Sequence, residues 1–312
     1  MNLTAHMDAK LTNNAWITIG SFDGVHVGHQ ALIKALVDKA HSYNAQALVV
    51  TFWPHPAAFF KRATLPRALT SSEERRDLLL SIGVDEVITL PFDQAIAALT
   101  PTQFLQALKQ DHGLKGLIIG PNTTIGKDRE GTPEKLIEIG QQLGINVEVI
   151  QPFINPVGMV SSSLIRTELR EHNLDEANRN LGRPYRLSGK VVHGEHRGTG
   201  LGVPTANLEV MPERLIPGNG VYVTRALVDG KTYAAVTNIG IRPTFDNPLP
   251  APRIEPHILD LQGQFYNCAL SLDFMKFLRP EIKFENAQDL VAQIQKDIAA
   301  TREFFATENN QA

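Results

Sequence analysis

The sequence predicts two consecutive folds: an α/β half on a parallel sheet, then a small antiparallel β-barrel followed by a C-terminal helix. Three observations predict this. Residues 15–153 alternate short apolar runs with stretches of helical periodicity, the order that gives a parallel sheet covered on both faces. Around residues 182–186 glycines and prolines become dense, and short runs alternating at period two take over. One strong helical pattern then spans residues 287–305. The boundary is placed near 182–185, giving domains 1–184 and 185–312.

The elements follow in order. "AWITIG" reads as a strand, and "ALIKALVDKA" as a helix with Leu32, Ile33, Leu36, Val37 and Ala40 on its apolar face. "ALVVTF" is the next strand. "SSEERRDLLLSIG" is a helix with acidic residues in its first turn and a glycine stop. "VDEVITLPF" is a strand. In "TPTQFLQALKQ", Thr100 is the N-cap, Pro101 opens the helix and Gln103 completes a capping box. "GLIIG", "TPEKLIEIGQQLG" and "NVEVIQPF" continue the alternation, and residues 161–182 read as one further helical stretch. In the second half "GKVVHG", "GVYVTRALV", "KTYAAVTNI", "RIEPHILDL" and "CALSLDFMKFL" read as antiparallel strands of a small barrel or sandwich. Asn286 and Asp289 cap the last helix, whose apolar face carries Leu290, Val291, Ile294, Ile298 and Phe305.

Composition narrows the function. A formal net charge of −3 provides no basic field to draw nucleic acid. No apolar run approaches the roughly 20 residues that span a bilayer. The first residues lack the order of a signal peptide, so a cytoplasmic protein is expected. Cys268 is the lone cysteine, which excludes an intrachain disulfide and a multi-thiolate metal site; it reads as a small core residue.

Two stretches carry chemistry. In "ITIGSFDGVHVGHQALIKAL" an apolar strand ends in glycine, and His26 and His29 follow where a helix begins. Ligands of open α/β sheets gather at that end of the strands. The free N–H groups of a helix start suit an anion, and imidazoles can donate to phosphate oxygens. Gly20, Gly24 and Gly28 allow the backbone to approach a nucleotide closely. Neither a P-loop nor the Rossmann glycine fingerprint is present. By residue type alone, two surface histidines near a helix start remain the alternative.

The second stretch is "GKVVHGEHRGTGLGVPTANL". Its glycines, Gly194, Gly198 and Gly200 among them, suit a loop that folds over phosphates. Thr205 and Asn207, two apart, point to one face of an extended strand. Their neutral oxygens are hard ligands suited to Mg²⁺ held mostly by water and nucleotide phosphates. By residue type alone, a glycine-rich hairpin and turn remain the alternative.

"GSFDGVHVGHQALI" resembles the opening signature of the nucleotidylyltransferase superfamily. Its fuller form is similar to the FMN adenylyltransferase module of the bacterial bifunctional riboflavin kinase/FAD synthetase family. "TFWPHP" at 51–56, "GPNTTIG" at 120–126 and "SSSLIR" at 161–166 resemble that module's further motifs, in the same order. "LGVPTANL", "TNIGIRPTF" at 237–245, "IEPHILD" at 254–260 and "FLRPEIKF" at 277–284 resemble the riboflavin kinase signature. The resemblance covers roughly residues 15–305.

It implies a Rossmann-like nucleotidylyltransferase domain followed by a riboflavin-kinase-like barrel. The implied reactions are phosphorylation of riboflavin to FMN and adenylylation of FMN to FAD, with ATP as co-substrate and Mg²⁺ as cofactor. In the first domain His26 and His29 would serve the ATP phosphates, with Gly20, Phe22, Asp23, Gly24, Asn122, Ser162, Ser163 and Arg166 binding nucleotide or phosphate. His55, Pro56 and Ile125 would shape the flavin pocket, with Phe59 and Phe60 nearby. An N-cap cluster for the serines and core packing for the two phenylalanines remain open. In the second domain Thr205 and Asn207 would bind Mg²⁺ with ATP, and Glu255 would be the general base toward the riboflavin hydroxyl. His257 and Arg242 would flank the flavin, and Arg242 and Arg279 would also brace the structure as ion partners. The implied partners are the small molecules riboflavin, FMN and ATP, with neither nucleic acid nor membrane and at most weak self-association.

The chain departs from the family at Thr123 and Ile125, where aromatic residues are usual, at Ser163, and at Gln264 and Asn267 of "GQFYN". Pro256 marks its strand as an edge or irregular, and "DNPLPAPR" reads as a loop beside the flavin site. The departures touch the flavin ends more than the ATP ends. Alternatives are a single retained activity (the kinase), adenylylation of another acceptor, and a flavin- or nucleotide-binding regulator with little turnover.

Overall fold

The computed structural model describes residues 14–60, 66–151, 154–155, 158–192, 204–241, 252–261 and 267–309. Two compact units divide between Ser162 and Ser163.

The first unit is built on five parallel strands, β1 (Ala15–Ile19), β2 (Gln46–Trp53), β3 (Glu86–Pro91), β4 (Leu114–Ile119) and β5 (Asn146–Val149), in the order β3-β2-β1-β4-β5. The helices are α1 (Val27–Ser42), α2 (Pro56–Phe59), α3 (Ser72–Ser81), α4 (Gln94–Ala97), α5 (Pro101–His112) and α6 (Pro133–Leu143). Alternation along the strands sends successive side chains to opposite faces. Ile17, Ile19, Leu48, Val50 and Ile88 pack against Phe104, Leu105 and Leu108 of α5 and Leu136 and Ile139 of α6. Trp16, Ala47, Val49, Val87 and Ile118 pack against Ile33, Leu36 and Ala40 of α1 and Leu79 of α3. Strand order reverses between β1 and β4, so the ends of these strands flank the place where such sheets bind ligands.

Capping chemistry fixes the helix starts. Thr100 and Gln103 form the reciprocal box, Ser71 and Glu74 form another, and Gly113 and Gly144 end their helices left-handed. α1 starts at Val27, four residues before the predicted helical stretch that opens at Ala31. The strand read over 146–153 ends at Val149, and a short pair follows, β6 (Ile154–Asn155) and β7 (Gly158–Met159).

The helical stretch 161–182 is two helices, α7 (Ser162–Arg170) and α8 (Leu174–Leu181). The break is His172, at φ +65°, whose ring stacks on Phe277 at 4.3 Å and whose Nε2 lies 2.9 Å from the Asn219 carbonyl. The second unit carries six antiparallel strands, β8 (Tyr185–Val192), β9 (Asn207–Glu209), β10 (Gly220–Val228), β11 (Lys231–Gly240), β12 (Arg253–Ile258) and β13 (Ala269–Arg279), in the order β12-β11-β10-β13-β8-β9. The Ala206 N–H donates to the Pro256 carbonyl at 2.9 Å, bringing the two edges together into a nearly closed barrel. β12 is the edge strand its proline requires. Leu187, Ala226, Leu272 and Phe274 fill the interior, with Tyr222 edge-on to Phe274.

α9 (Ala287–Asn309) lies on the barrel and opens on Asn286, whose Oδ1 accepts the Asp289 N–H at 2.9 Å. Leu290, Val291, Ile294, Ile298 and Phe305 are half-buried, whereas the fully buried positions of this helix are polar, Asp297 and Thr301. Cys268 is half-buried just before β13 and is not a core residue.

Candidate active sites

The loop after β1 is held by its own polar groups. The Asp23 carboxylate, 2% exposed, accepts the N–H of Leu69 (3.0 Å) and of Thr70 (3.2 Å), and Thr70 Oγ1 accepts the Gly24 N–H. Phe22, Gly24 and Val25 have φ of +45°, +82° and +42°. For a β-branched valine that conformation is an outlier, the kind of strain that collects at functional sites. Ser162 Oγ donates to the Asp23 carbonyl at 2.9 Å.

His26 is the N-cap of α1, and its Nδ1 accepts the His29 N–H at 3.3 Å. The two imidazoles stack, centroids 3.6 Å apart and planes 17° apart. Phe22 meets the His29 ring edge-on at 5.2 Å. Its own ring fills the space a Cβ on Gly20 would need, at 3.0 Å, and a Cβ on Gly28 would lie 3.3 Å from the His26 ring. His29 Nδ1 is fully covered and makes no hydrogen bond to the described residues. Burial first, then the neighbouring His26 and Arg75, hold the His29 pKa well below the ordinary histidine value. His29 is therefore a neutral imidazole at physiological pH, a hydrogen-bond donor through one ring nitrogen.

A cavity of about 550 Å³ opens at the carboxyl ends of β1 to β4. Gly20, which the sequence reading gave to the nucleotide, and His55, Pro56 and Ile125, which it gave to the flavin, all line it. His55 Nδ1 accepts the Ala57 N–H at 3.1 Å. Ile125 is 6% exposed and belongs to the core as well as to the cavity wall. Thr123 closes a turn, its Oγ1 accepting the Gly120 N–H at 3.1 Å. The aromatic surface absent at 123 and 125 comes from elsewhere: Phe52, Phe60, Phe92 and Phe104 all line the cavity. Phe59 does not; it packs edge-on against Phe60 and Phe92. Asn122 is exposed in the turn and is not on the cavity wall. Sequence reasoning missed Phe52, Phe92 and Phe104, which come from three separate segments, and Arg129, whose Nε donates to Thr124 Oγ1 at the cavity. Ser163 and Arg166 fall in the second unit on α7, where Arg166 is 7% exposed.

The second unit has a cavity of about 660 Å³ between β11, β12, the end of β13 and α9. Thr205, Glu255, His257 and Arg279 line it together, with Asn238, Glu281 and Asp297. Glu255 stands directly across from Asn238 in the β11–β12 register and is half-buried. His257 Nδ1 lies 2.7 Å from the Pro204 carbonyl. This contact ties the proposed base strand to the segment entering β9. Ala206 and Leu208 are buried, so Thr205 and Asn207 emerge on the outer side of that segment, as their spacing predicted. Arg279 is an ion partner of Asp297, through Nε at 3.1 Å and Nη2 at 2.7 Å. Asn267 takes φ +63°, a conformation asparagine tolerates, so replacing the family's glycine is absorbed by the backbone. Gly194, Gly198, Gly200, Arg242 and Gln264 lie outside the described residues, as does most of "DNPLPAPR".

No cluster of three or more His, Cys, Asp or Glu among the described residues could hold a metal ion. The Thr205–Asn207 pair, with two neutral oxygens, fits an ion whose remaining ligands are phosphates and water.

The protein-family model of FAD synthetase matches residues 8–164, and that of riboflavin kinase matches residues 181–305. A bifunctional riboflavin kinase/FMN adenylyltransferase from Pseudomonas fluorescens is 36% identical over 93% of this chain and 92% of its own. The protein of that name from Listeria monocytogenes is 33% identical over 97% and 98%, and that from Escherichia coli K12 is 35% identical over 93% and 92%. A solved structure described as a macrolide-efflux protein from Streptococcus pneumoniae is 29% identical, covers 96% of this chain and 97% of its own, and has a TM-score of 0.87. Among the described residues of the present chain no helix is long and apolar enough to cross a membrane.

Proposed function

We infer the chemistry from one premise: the chain belongs to the bifunctional riboflavin kinase/FMN adenylyltransferase family. It phosphorylates riboflavin to FMN and adenylylates FMN to FAD, using ATP in both steps. We assign the adenylyl transfer to residues 1–184 and the phosphorylation to residues 185–312. The lone cysteine and the use of ATP fit a cytoplasmic enzyme.

The single observation that supports the assignment most is that each half has its own cavity, lined by residues of the matching motif. In adenylyl transfer an FMN phosphate oxygen attacks the α-phosphorus of ATP and pyrophosphate leaves. The nucleophile is already an anion, so no base is needed; the residues position the reactants and offset charge. We assign His26 and His29 to the phosphates at the start of α1, where the free N–H groups of the helix add to theirs. The 550 Å³ cavity takes the flavin, whose planar ring packs on Phe60 and Phe92 between His55 and Ile125.

In the kinase step Glu255 accepts the proton of the riboflavin 5′-hydroxyl as its oxygen attacks the terminal phosphorus, and ADP leaves. Asn238 opposite and His257 two residues on lie with Glu255 on the cavity side of β11 and β12. Thr205 and Asn207 would hold Mg²⁺, which supplies charge neutralisation to the ATP phosphates when bound.

The test is to incubate the full chain with Mg-ATP and riboflavin, and separately with Mg-ATP and FMN, and to resolve the flavins by chromatography. FMN is expected from the first and FAD from the second. Glu255→Gln should lower FMN formation about 10²- to 10⁴-fold and leave FAD formation from FMN intact. A Glu255→Gln chain that phosphorylates riboflavin at the parent rate would remove Glu255 from the mechanism.

A further inference from the structure

We propose that Arg75 is a positioning residue for adenylyl transfer, fixing the turn at Ser21 and Phe22 that forms the back wall of His29. The proposal rests on the reading above that His29 meets the ATP phosphates. Arg75 lies in α3 and is 2% exposed. Its Nη1 donates to the Ser21 carbonyl at 2.8 Å, to Thr51 Oγ1 at 3.2 Å and to the Phe52 carbonyl at 3.3 Å. Thr51 Oγ1 in turn donates to the Ser21 carbonyl at 3.2 Å. Its guanidinium carbon sits 5.7 Å from the Trp53 ring. One buried cation thus joins the carboxyl ends of β1 and β2, next to the proposed flavin cavity that Ser21 and Phe52 line.

The next residue after Ser21 is Phe22, whose ring stands edge-on to His29. The loop it begins holds Phe22 and Val25 at positive φ. Each such residue costs about 1–3 kcal/mol and persists only when its surroundings over-determine it. The far side of the loop is pinned by Leu69 and Thr70 on Asp23 and Gly24. The near side is pinned by Arg75. Residues 69–75 are one continuous stretch, so the entry to α3 grips both sides of the phosphate loop. The grip is also electrostatic. His29 is faced by His26 from its own helix start and by Arg75 from α3, and after burial both disfavour its protonation. The imidazole is thereby kept a neutral donor rather than a second cation beside Arg75.

The second unit supplies an internal control, since riboflavin phosphorylation reports on the same chain. The experiment compares Arg75→Met, Arg75→Lys, Thr51→Val and His29→Asn in the full chain, measuring FMN adenylylation against pH with riboflavin phosphorylation alongside. Arg75→Met should lower adenylylation kcat about 100-fold, the usual effect of misplacing a reacting group by an ångström. Phosphorylation should hold within about twofold. The acid limb of the adenylylation profile should move to higher pH as His29 becomes easier to protonate. Arg75→Lys should keep that limb near the parent's and recover part of kcat, and Thr51→Val should lower kcat by about tenfold without a change in melting temperature. Parent-like kcat and pH profile in Arg75→Lys and Thr51→Val overturn the proposal even if Arg75→Met does not fold. If those variants are parent-like while His29→Asn abolishes FAD formation, only the role of Arg75 fails. If His29→Asn makes FAD at the parent rate, the reading of His29 fails and the proposal with it.

Discussion

The imidazoles of His26 and His29 stack 3.6 Å apart at the start of α1, and the surroundings of His29 hold its pKa well below the ordinary histidine value. Burial is the main cause, with His26 and Arg75 adding to it. The consequence for stability has a definite sign. Below pH 6.5 the unfolded chain binds a proton at this residue that the folded chain refuses. Stability present above pH 6.5 is therefore lost as pH falls toward the depressed folded value, at no more than about 1.4 kcal/mol per pH unit. His112, 1% exposed, is shifted the same way by burial, with Asp111 opposing. Thermal melts from pH 7.5 to 5 should show a smaller acid loss in His29→Asn and in His112→Asn than in the parent. A parent-like slope in His29→Asn would mean that its ring already carries the proton when folded.

The proposed flavin end of the first cavity gives a prediction nearly free of stability effects. Phe60 is 57% exposed, yet it lines the cavity beside Phe92. Removing its ring deletes a stacking surface and little core. Phe60→Ala should raise the KM for FMN about fivefold, for roughly 1 kcal/mol of lost aromatic contact. Its melting temperature should stay within about 2 °C of the parent. Steady-state kinetics with FMN varied decides it, and an unchanged KM removes Phe60 from the flavin contact.

How much of this was legible in the sequence differs from place to place. The doubly covered sheet was, because its apolar runs and capping boxes are local signals; Thr100–Gln103 needs nothing distant to form. The break at His172 was not. "TELREHNLDEA" contains no helix breaker, and the left-handed turn is imposed by Phe277 and Asn219, more than 40 residues away. β9 was read only as the extended stretch carrying Thr205 and Asn207, because three residues next to a glycine-rich loop carry too little pattern to fix its bounds. At the site, the histidines were legible because their motif is contiguous. Arg75 was not, since "SSEERRDLLL" reads as a charged exposed turn until packing buries one of its two arginines. The same holds for Phe52, Phe92 and Phe104, which become one wall only when the ends of β2 and β3 meet α5.

The pair proposed to hold Mg²⁺ separates the two reactions. Thr205 and Asn207 belong to the second unit and emerge on the outer side of the segment that enters the barrel. Losing one oxygen ligand should raise the Mg²⁺ concentration needed for half-maximal phosphorylation about tenfold, or ~1.4 kcal/mol. Thr205→Ala and Asn207→Ala should both show this, and adenylylation of FMN should keep the parent's requirement. A Mg²⁺ titration of the two activities in the same protein measures it. An equal shift in both would place the effect outside this site.

The ion pair under the second cavity tests whether α9 is merely attached to the barrel or sets the shape of the kinase site. Asp297 on α9 is 5% exposed and receives Arg279 from the end of β13 through two nitrogens, with Gln293 Nε2 donating to Asp297 at 2.9 Å. Both charged residues line the cavity that holds Glu255. Removing one partner leaves an uncompensated buried charge, which typically costs about 3–5 kcal/mol. Asp297→Ala should therefore lower the melting temperature sharply and reduce phosphorylation with it. Replacing both partners with apolar groups of similar volume is commonly near neutral. Arg279→Met combined with Asp297→Leu should then recover most of the stability lost in Asp297→Ala. Phosphorylation should stay low in the double variant if the pair shapes the cavity, and should return if the pair only fastens the helix. Calorimetry and riboflavin turnover on the parent, Arg279→Met, Asp297→Leu and the double variant form the cycle that separates these contributions. The cavity-shaping reading expects a stable double variant with an elevated KM for riboflavin, and a double variant with parent turnover refutes it.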